Sequence, residues 1–158
     1  MNITSPGAKG LVELNFGILS AWAGGPEGSG VTVALTGSES TLKVGNFALD
    51  GGRGGVTVEA GGSNNMGKLV VGLSRLWGDG QVTLRASAAA EGGSLTFEKS
   101  EIFFAGGDVM IETGTRGYTA VKESSLSSDT RIRIATGSRS VCTVENASIW
   151  APVKEICW

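Results

Sequence analysis

The stretch "VTVALTGSESTLKVGNFALDGGRGG" (residues 31–55) is followed directly by "VTVEAGGSNNMGKLVVGLSRLWGDG" (residues 56–80). The two are equally long, open alike, and share an L-x-V-G and a later leucine. Self-similarity at this length is the mark of a repeat architecture. Three short apolar pairs carry it through the chain. The first is Val31/Val33, Val56/Val58, Val82/Leu84, Val109/Ile111 and Ile132/Ile134, at spacings of 25, 26, 27 and 23. The second is Leu42/Val44, Leu69/Val71, Leu95/Phe97, Thr119/Val121 and Cys142/Val144. The third is Phe47/Leu49, Ser74/Leu76, Ser100/Ile102, Ser124/Leu126 and Ala147/Ile149.

Within each pair the period is two, the signature of a short strand with one buried face. From second pair to third the offset is always five. An odd offset flips side-chain parity on a straight strand, so a bend separates them. Gly45-Asn46 suits a left-handed residue at that bend. A repeat of three short strands without a helix cannot bury its own apolar side, but stacked repeats can, each strand pairing in parallel with its equivalent one coil away. Antiparallel hairpins in a sandwich need no fixed offset over five repeats, so the pattern favours an all-β single-chain parallel β-helix. We expect about five to six coils of three strands and an axis of about 25–30 Å. Residues 31–149 form the repeats. Residues 1–30 read as an irregular first coil or N-terminal cap, in which Phe16/Ile18 precedes Leu42/Val44 by 26 and "LVEL" (11–14) has no counterpart. Residues 150–158 read as a C-terminal cap, with Trp150 and Trp158 plugging that end.

This layout resembles the right-handed parallel β-helices of bacterial surface adhesins, autotransporter passengers, phage tailspikes and pectate-lyase-type enzymes. The resemblance covers residues 31–149 and rests on repeat geometry. It implies a fold, and no functional residue is carried over with it.

Composition narrows the function classes. The 158 residues include 26 Gly, 3 Pro and no His, with a net charge of −2. The absence of histidine removes Ser-His-Asp and Cys-His nucleophile arrangements and the H-E-x-x-H metal site. The charge balance does not suit a nucleic-acid binder, and the apolar runs are too short for a membrane helix. "MNITSPGAKG" lacks the basic region and apolar stretch of a secretion signal. Two cysteines are too few for a disulfide framework. Cys142 falls at an inward position and is expected as a buried reduced thiol, with a bridge to Cys157 as the alternative.

Glu59, Arg85 and Glu112 occupy one outward ladder, with signs alternating between coils. They read first as an ion-pair ladder. In pectate-lyase-like enzymes an arginine takes the proton, so the patch also looks faintly like a catalytic site. The two carboxylates would lie about 9.5 Å apart, near the upper limit for an inverting glycosidase. Arg75 and Glu101 form a second outward pair. Trp77, before "GDG", is a candidate for stacking on a sugar or anchoring a protein. Ser74, Ser100 and Ser124 suggest hydroxyls bonded to backbone at the bends. Thr32, Thr57 and Thr83 read as ordinary strand filling. "GGRGG" lacks the lysine of a phosphate loop, and the sequons at Asn2 and Asn146 are common by chance.

The reading is therefore a non-enzymatic structural or binding module of adhesin or phage-fibre type. Trp77, Arg75 and Glu101 would make the contacts to a protein or glycan surface. No metal or cofactor, nucleic acid or membrane insertion is expected; a homo-oligomer (a trimer) goes with the fibre-like reading and a monomer with a cytosolic one. An extracellular or virion-surface setting is favoured over a cytoplasmic one. The alternatives are a polysaccharide lyase or hydrolase using Glu59, Arg85 and Glu112, and a cytosolic interaction factor.

Overall fold

The computed structural model describes residues 2–5, 11–20, 30–35, 41–51, 53–61, 67–78 and 80–157, and it does not describe the side chains of residues 2–5, 15–20, 35, 46, 50 and 87–91. The expectations for Trp158 and the Asn2 side chain lie outside this set.

The chain is a parallel β-solenoid. β1 (Asn2–Ser5), β2 (Leu11–Ser20), β3 (Val31–Leu35) and β4 (Thr41–Asp50) form its first coils. Four coils of three separate strands follow. They are β5 (Val56–Ala60), β6 (Lys68–Gly72) and β7 (Arg75–Gly78), then β8 (Val82–Glu91), β9 (Ser94–Glu98) and β10 (Glu101–Phe104). After them come β11 (Val109–Thr115), β12 (Tyr118–Lys122) and β13 (Ser125–Ser128), then β14 (Arg131–Thr136), β15 (Val141–Glu145) and β16 (Ser148–Trp150), before β17 (Val153–Ile156). The first sheet runs β1-β3-β5-β8-β11-β14-β17. The second runs β2-β4-β6-β9-β12-β15 and the third β4-β7-β10-β13-β16, joined because β2 and β4 each span both. Every pairing is parallel, and the register matches the sequence repeat. Val33, Val58, Leu84, Ile111 and Ile134 stand in one row.

That row is fully buried, as are Leu42, Leu69 and Leu95 in the second sheet and Leu49, Leu76, Ile102 and Leu126 in the third. Each such side chain stabilises the fold by about 1.5–3 kcal/mol relative to exposure. The polar member of the second-sheet row is satisfied, because the Thr119 hydroxyl pairs with that of Thr113 at 2.9 Å. Thr83 faces outward but is only 8% exposed, covered on its ladder between Thr57 and Met110.

The bend between second and third strands is a left-handed residue in the coils of separate strands: Leu73, Lys99, Glu123 and Asn146, with φ of 47–51°. At Gly45-Asn46 β4 instead continues unbroken. Parity still switches there, from Leu42 and Val44 inward to Phe47 and Leu49 inward. A left-handed side-chain residue costs about 1–2 kcal/mol, so neighbouring coils must hold it. The N–H of Leu73, Lys99 and Glu123 donates to the carbonyl of Glu98, Lys122 and Glu145 in the next coil. The serines complete the lock. Ser100 Oγ donates to Glu98 O at 2.7 Å and accepts Ser74 N–H at 3.0 Å. Ser124 does the same with Lys122 O and Ser100 N–H, and Ser74 with Gly72 O and Phe47 N–H. At the corner before the first sheet, Gly55 has φ 81° and a Cβ there would meet Gln81 O at 1.9 Å, so only glycine fits.

Two expectations need correction. Leu11–Leu14 does have counterparts, since Val12 and Leu14 pair with Leu42 and Val44. The separation is 30 residues, and a search near 26 misses it because the first coil is longer. Cys142 is not a free thiol. It is bonded to Cys157, with Cα atoms 5.6 Å apart. Cys142 does stand in the inward row, but on the last rung of the second sheet, where it is only partly buried. The tail turns back as β17 against β14 and brings Cys157 to it. Lys154 follows Ile132 in the inward register yet is exposed, and an inward-pointing charge on an edge strand disfavours addition of another strand.

Truncating Leu84 to Ala should cost about 2–5 kcal/mol in chemical denaturation, and Thr57 to Ala well under about 1 kcal/mol. Equal losses would mean that the inward phase is misassigned. Thiol titration of denatured, unreduced protein should find no free cysteine. Reduction should lower stability by about 3 kcal/mol, the entropic value for a 15-residue loop. Two titratable thiols before reduction would contradict the bridge.

Candidate functional site

With Leu76, Ile102 and Leu126 committed to the core, the alternate residues of the third sheet must face outward. They stack in two ladders. One runs Ala48, Arg75, Glu101, Ser125 and Ser148. The other carries Trp77, Phe103, Ser127 and Trp150 on successive rungs. Three of the sequence-predicted residues, Arg75, Trp77 and Glu101, are thus brought together on one face.

Arg75 Nε lies 3.0 Å from Glu101 Oε2 with both side chains largely in water. Such a pair contributes about 0–1 kcal/mol to stability, so positioning is its larger consequence. Arg75, Leu76, Trp77, Glu101, Phe103 and Ala48 line a cleft of about 400 Å³. Phe103 is 58% exposed and Trp150 59%. Water-facing aromatics in one ladder form a patch of the kind that marks contact sites. Trp150 is therefore an outward residue and not an end plug, because β16 continues the third-sheet alternation in which Ile149 faces the core. Beside the cleft, sharing Glu101, a polar groove of about 520 Å³ runs along the bend past Lys99, Glu123, Ser125, Asn146 and Ser148. Lys99 Nζ and Glu123 Oε2 stand 4.0 Å apart there. The described charged side chains of the cleft and groove thus pair off, cation with carboxylate.

Sequence reasoning missed Phe103 and the polar groove. Phe103 was legible, since it stands one repeat after Trp77. The groove was not, because it depends on how far the bends project.

Glu59, Arg85 and Glu112 lie on the outer face of the first sheet, on adjacent rungs as their spacing predicted. Arg85 Nε donates to Glu112 Oε2 at 2.7 Å, and no salt bridge from Arg85 to Glu59 accompanies it among the described residues. The alternating ladder is therefore half formed. Ser74, Ser100 and Ser124 are engaged with bend backbone as expected.

At the end of this sheet Arg131 Nε and Nη2 both donate to Asp108 Oδ2, and the Thr130 hydroxyl donates to Oδ1. Partial burial pushes the Asp108 carboxyl up, but the Arg131 and Thr130 hydrogen bonds and the Arg131 charge outweigh it and hold the group below its usual value of 3.8. A lowered folded pKa contributes stability that is complete above the unfolded value and lost as pH falls through the folded one. The stability advantage of the native chain over Asp108→Asn should therefore be constant from about pH 7 to 5 and shrink below about pH 4. An advantage that grows on acidification would contradict the pairing.

Among the described residues no group of three or more His, Cys, Asp or Glu is placed to hold a metal ion, and no helix is long and apolar enough to cross a membrane. No protein family, curated protein or solved structure matches this chain.

Proposed function

We propose that this protein is a non-enzymatic binding module that presents the outer face of its third sheet to a protein or glycan surface. The observation that carries this reading is the gathering of Trp77, Phe103, Arg75 and Glu101 into one cleft over a core that fixes their spacing. Rigid placement lowers the ordering cost of binding, and backbone ladders that join each coil to the next supply it. The setting we favour is an exported adhesin or fibre segment. The Cys142–Cys157 bridge accords with an oxidising compartment.

Chemistry at Glu59, Arg85 and Glu112 has less support. Arg85 is committed to Glu112, and the group lies on an open strand face, where water weakens electrostatic assistance. Incubation with a polysaccharide panel, with and without calcium, should yield neither new reducing ends nor unsaturated products. Immobilised glycans and cell-surface proteins should show saturable binding that Trp77→Ala and Phe103→Ser abolish and Glu59→Gln leaves intact. Turnover lost in Glu112→Gln, or binding indifferent to the third-sheet variants, would overturn the proposal.

A further inference from the structure

Resting on that reading, we infer that the ligand is an uncharged, linear polysaccharide chain lying along the solenoid axis across the third sheet. Three features of the face point to it.

The first is shape. The third-sheet strands β7, β10, β13 and β16 are three or four residues long, so the face is about 10–13 Å wide and, over these four rungs, about 14–19 Å long. A narrow strip suits an extended chain better than a globular surface.

The second is charge. Along the cleft and groove Arg75 faces Glu101 at 3.0 Å and Lys99 faces Glu123 at 4.0 Å. Each of these cations has its own carboxylate, so among the described side chains the cleft and groove offer no surplus of either sign to a nucleic acid or an acidic glycan. An uncharged ligand forfeits nothing here.

The third is the order of side chains along the axis. Trp77 and Phe103 occupy successive rungs and Trp150 stands two rungs beyond Phe103, with Ser127 between them. Ser125 and Ser148 run alongside in the neighbouring ladder. Apolar ring surface beside hydroxyls and a charged pair matches a pyranose, which has apolar C–H faces and a polar rim of hydroxyls. The rungs repeat at about 4.8 Å, close to the length of one sugar unit, so consecutive sugars would meet equivalent positions.

Affinity electrophoresis tests this with soluble neutral polysaccharides (hydroxyethyl cellulose, xyloglucan, galactomannan, amylose) set against polygalacturonate. Calorimetry then follows oligosaccharides of two to six units from any neutral polymer that retards the protein. We expect retardation by at least one neutral polymer, unchanged by salt, and none by polygalacturonate. Affinity should rise with length and level off by about four or five units. Trp77→Ala and Phe103→Ala should each weaken binding about tenfold or more, and Trp150→Ala should weaken only the longer oligosaccharides. A far-UV spectrum and melting curve establish that each variant folds. Salt-sensitive binding to polygalacturonate, or affinity that does not depend on length, would overturn the inference. Saturable binding of a protein at this face with no polysaccharide retarded would also overturn it while leaving the binding-module reading intact. If the variants change no binding of any kind, both fail.

Discussion

Everything in this fold depends on one spacing. Parallel strands lie about 4.8 Å apart, and each coil must return its three strands to that distance from the coil before. An inward position therefore stacks on its own equivalent. Leu84 lies between Val58 and Ile111, and a polar or oversized residue at any rung would disturb two neighbours. This is why the repeat survives as apolar pairs while the residues between them diverge. Outward positions face the same constraint in another form. The ion pairs Lys43–Glu13, Arg75–Glu101, Arg85–Glu112 and Lys122–Glu145 all join adjacent coils. Each is worth little alone, but like charges on neighbouring rungs would oppose the stack.

The bends show how local strain is offset by stacking. Leucine, lysine and glutamate are poor choices for a left-handed conformation, and they persist at residues 73, 99 and 123 because their N–H groups donate to the next coil. The serine beside each of them accepts an N–H from the preceding coil. The ladder stops at Ala147, the equivalent position of the last three-strand coil. These left-handed residues also project the side chains that wall the polar groove, so the device that turns the chain helps to shape the candidate site.

Much of this was legible in the residues. The register of all five repeats follows from apolar pairs such as Val56/Val58 and Val82/Leu84, since a period of two fixes the buried face and the recurrence fixes the partner. The pairing of Arg75 with Glu101 and the backbone role of Ser74, Ser100 and Ser124 follow from the same alignment. What was not legible lies where the repeat breaks. Val12/Leu14 was missed because its coil is longer than the others. The disulfide is only the second choice from sequence, because the tail carries no repeat signal to show that β17 returns to β14. An aromatic near a chain end suggests a plug, but the place of Trp150 after the inward Ile149 puts it on the outer face. The protection of Thr83 depends on neighbouring outward side chains, which spacing alone does not reveal.

The functional reading inherits its strength from the stack, because the third-sheet face exists as a surface only if the coils are parallel and in register. An NMR map of interstrand contacts in isotopically labelled protein tests that most directly. The account predicts one linear chain of methyl contacts, Val33 to Val58 to Leu84 to Ile111 to Ile134, with backbone contacts of the parallel type between coils. Strong Hα–Hα contacts between neighbouring strands, the mark of antiparallel pairing, or direct contacts between Val58 and Ile134, would contradict it.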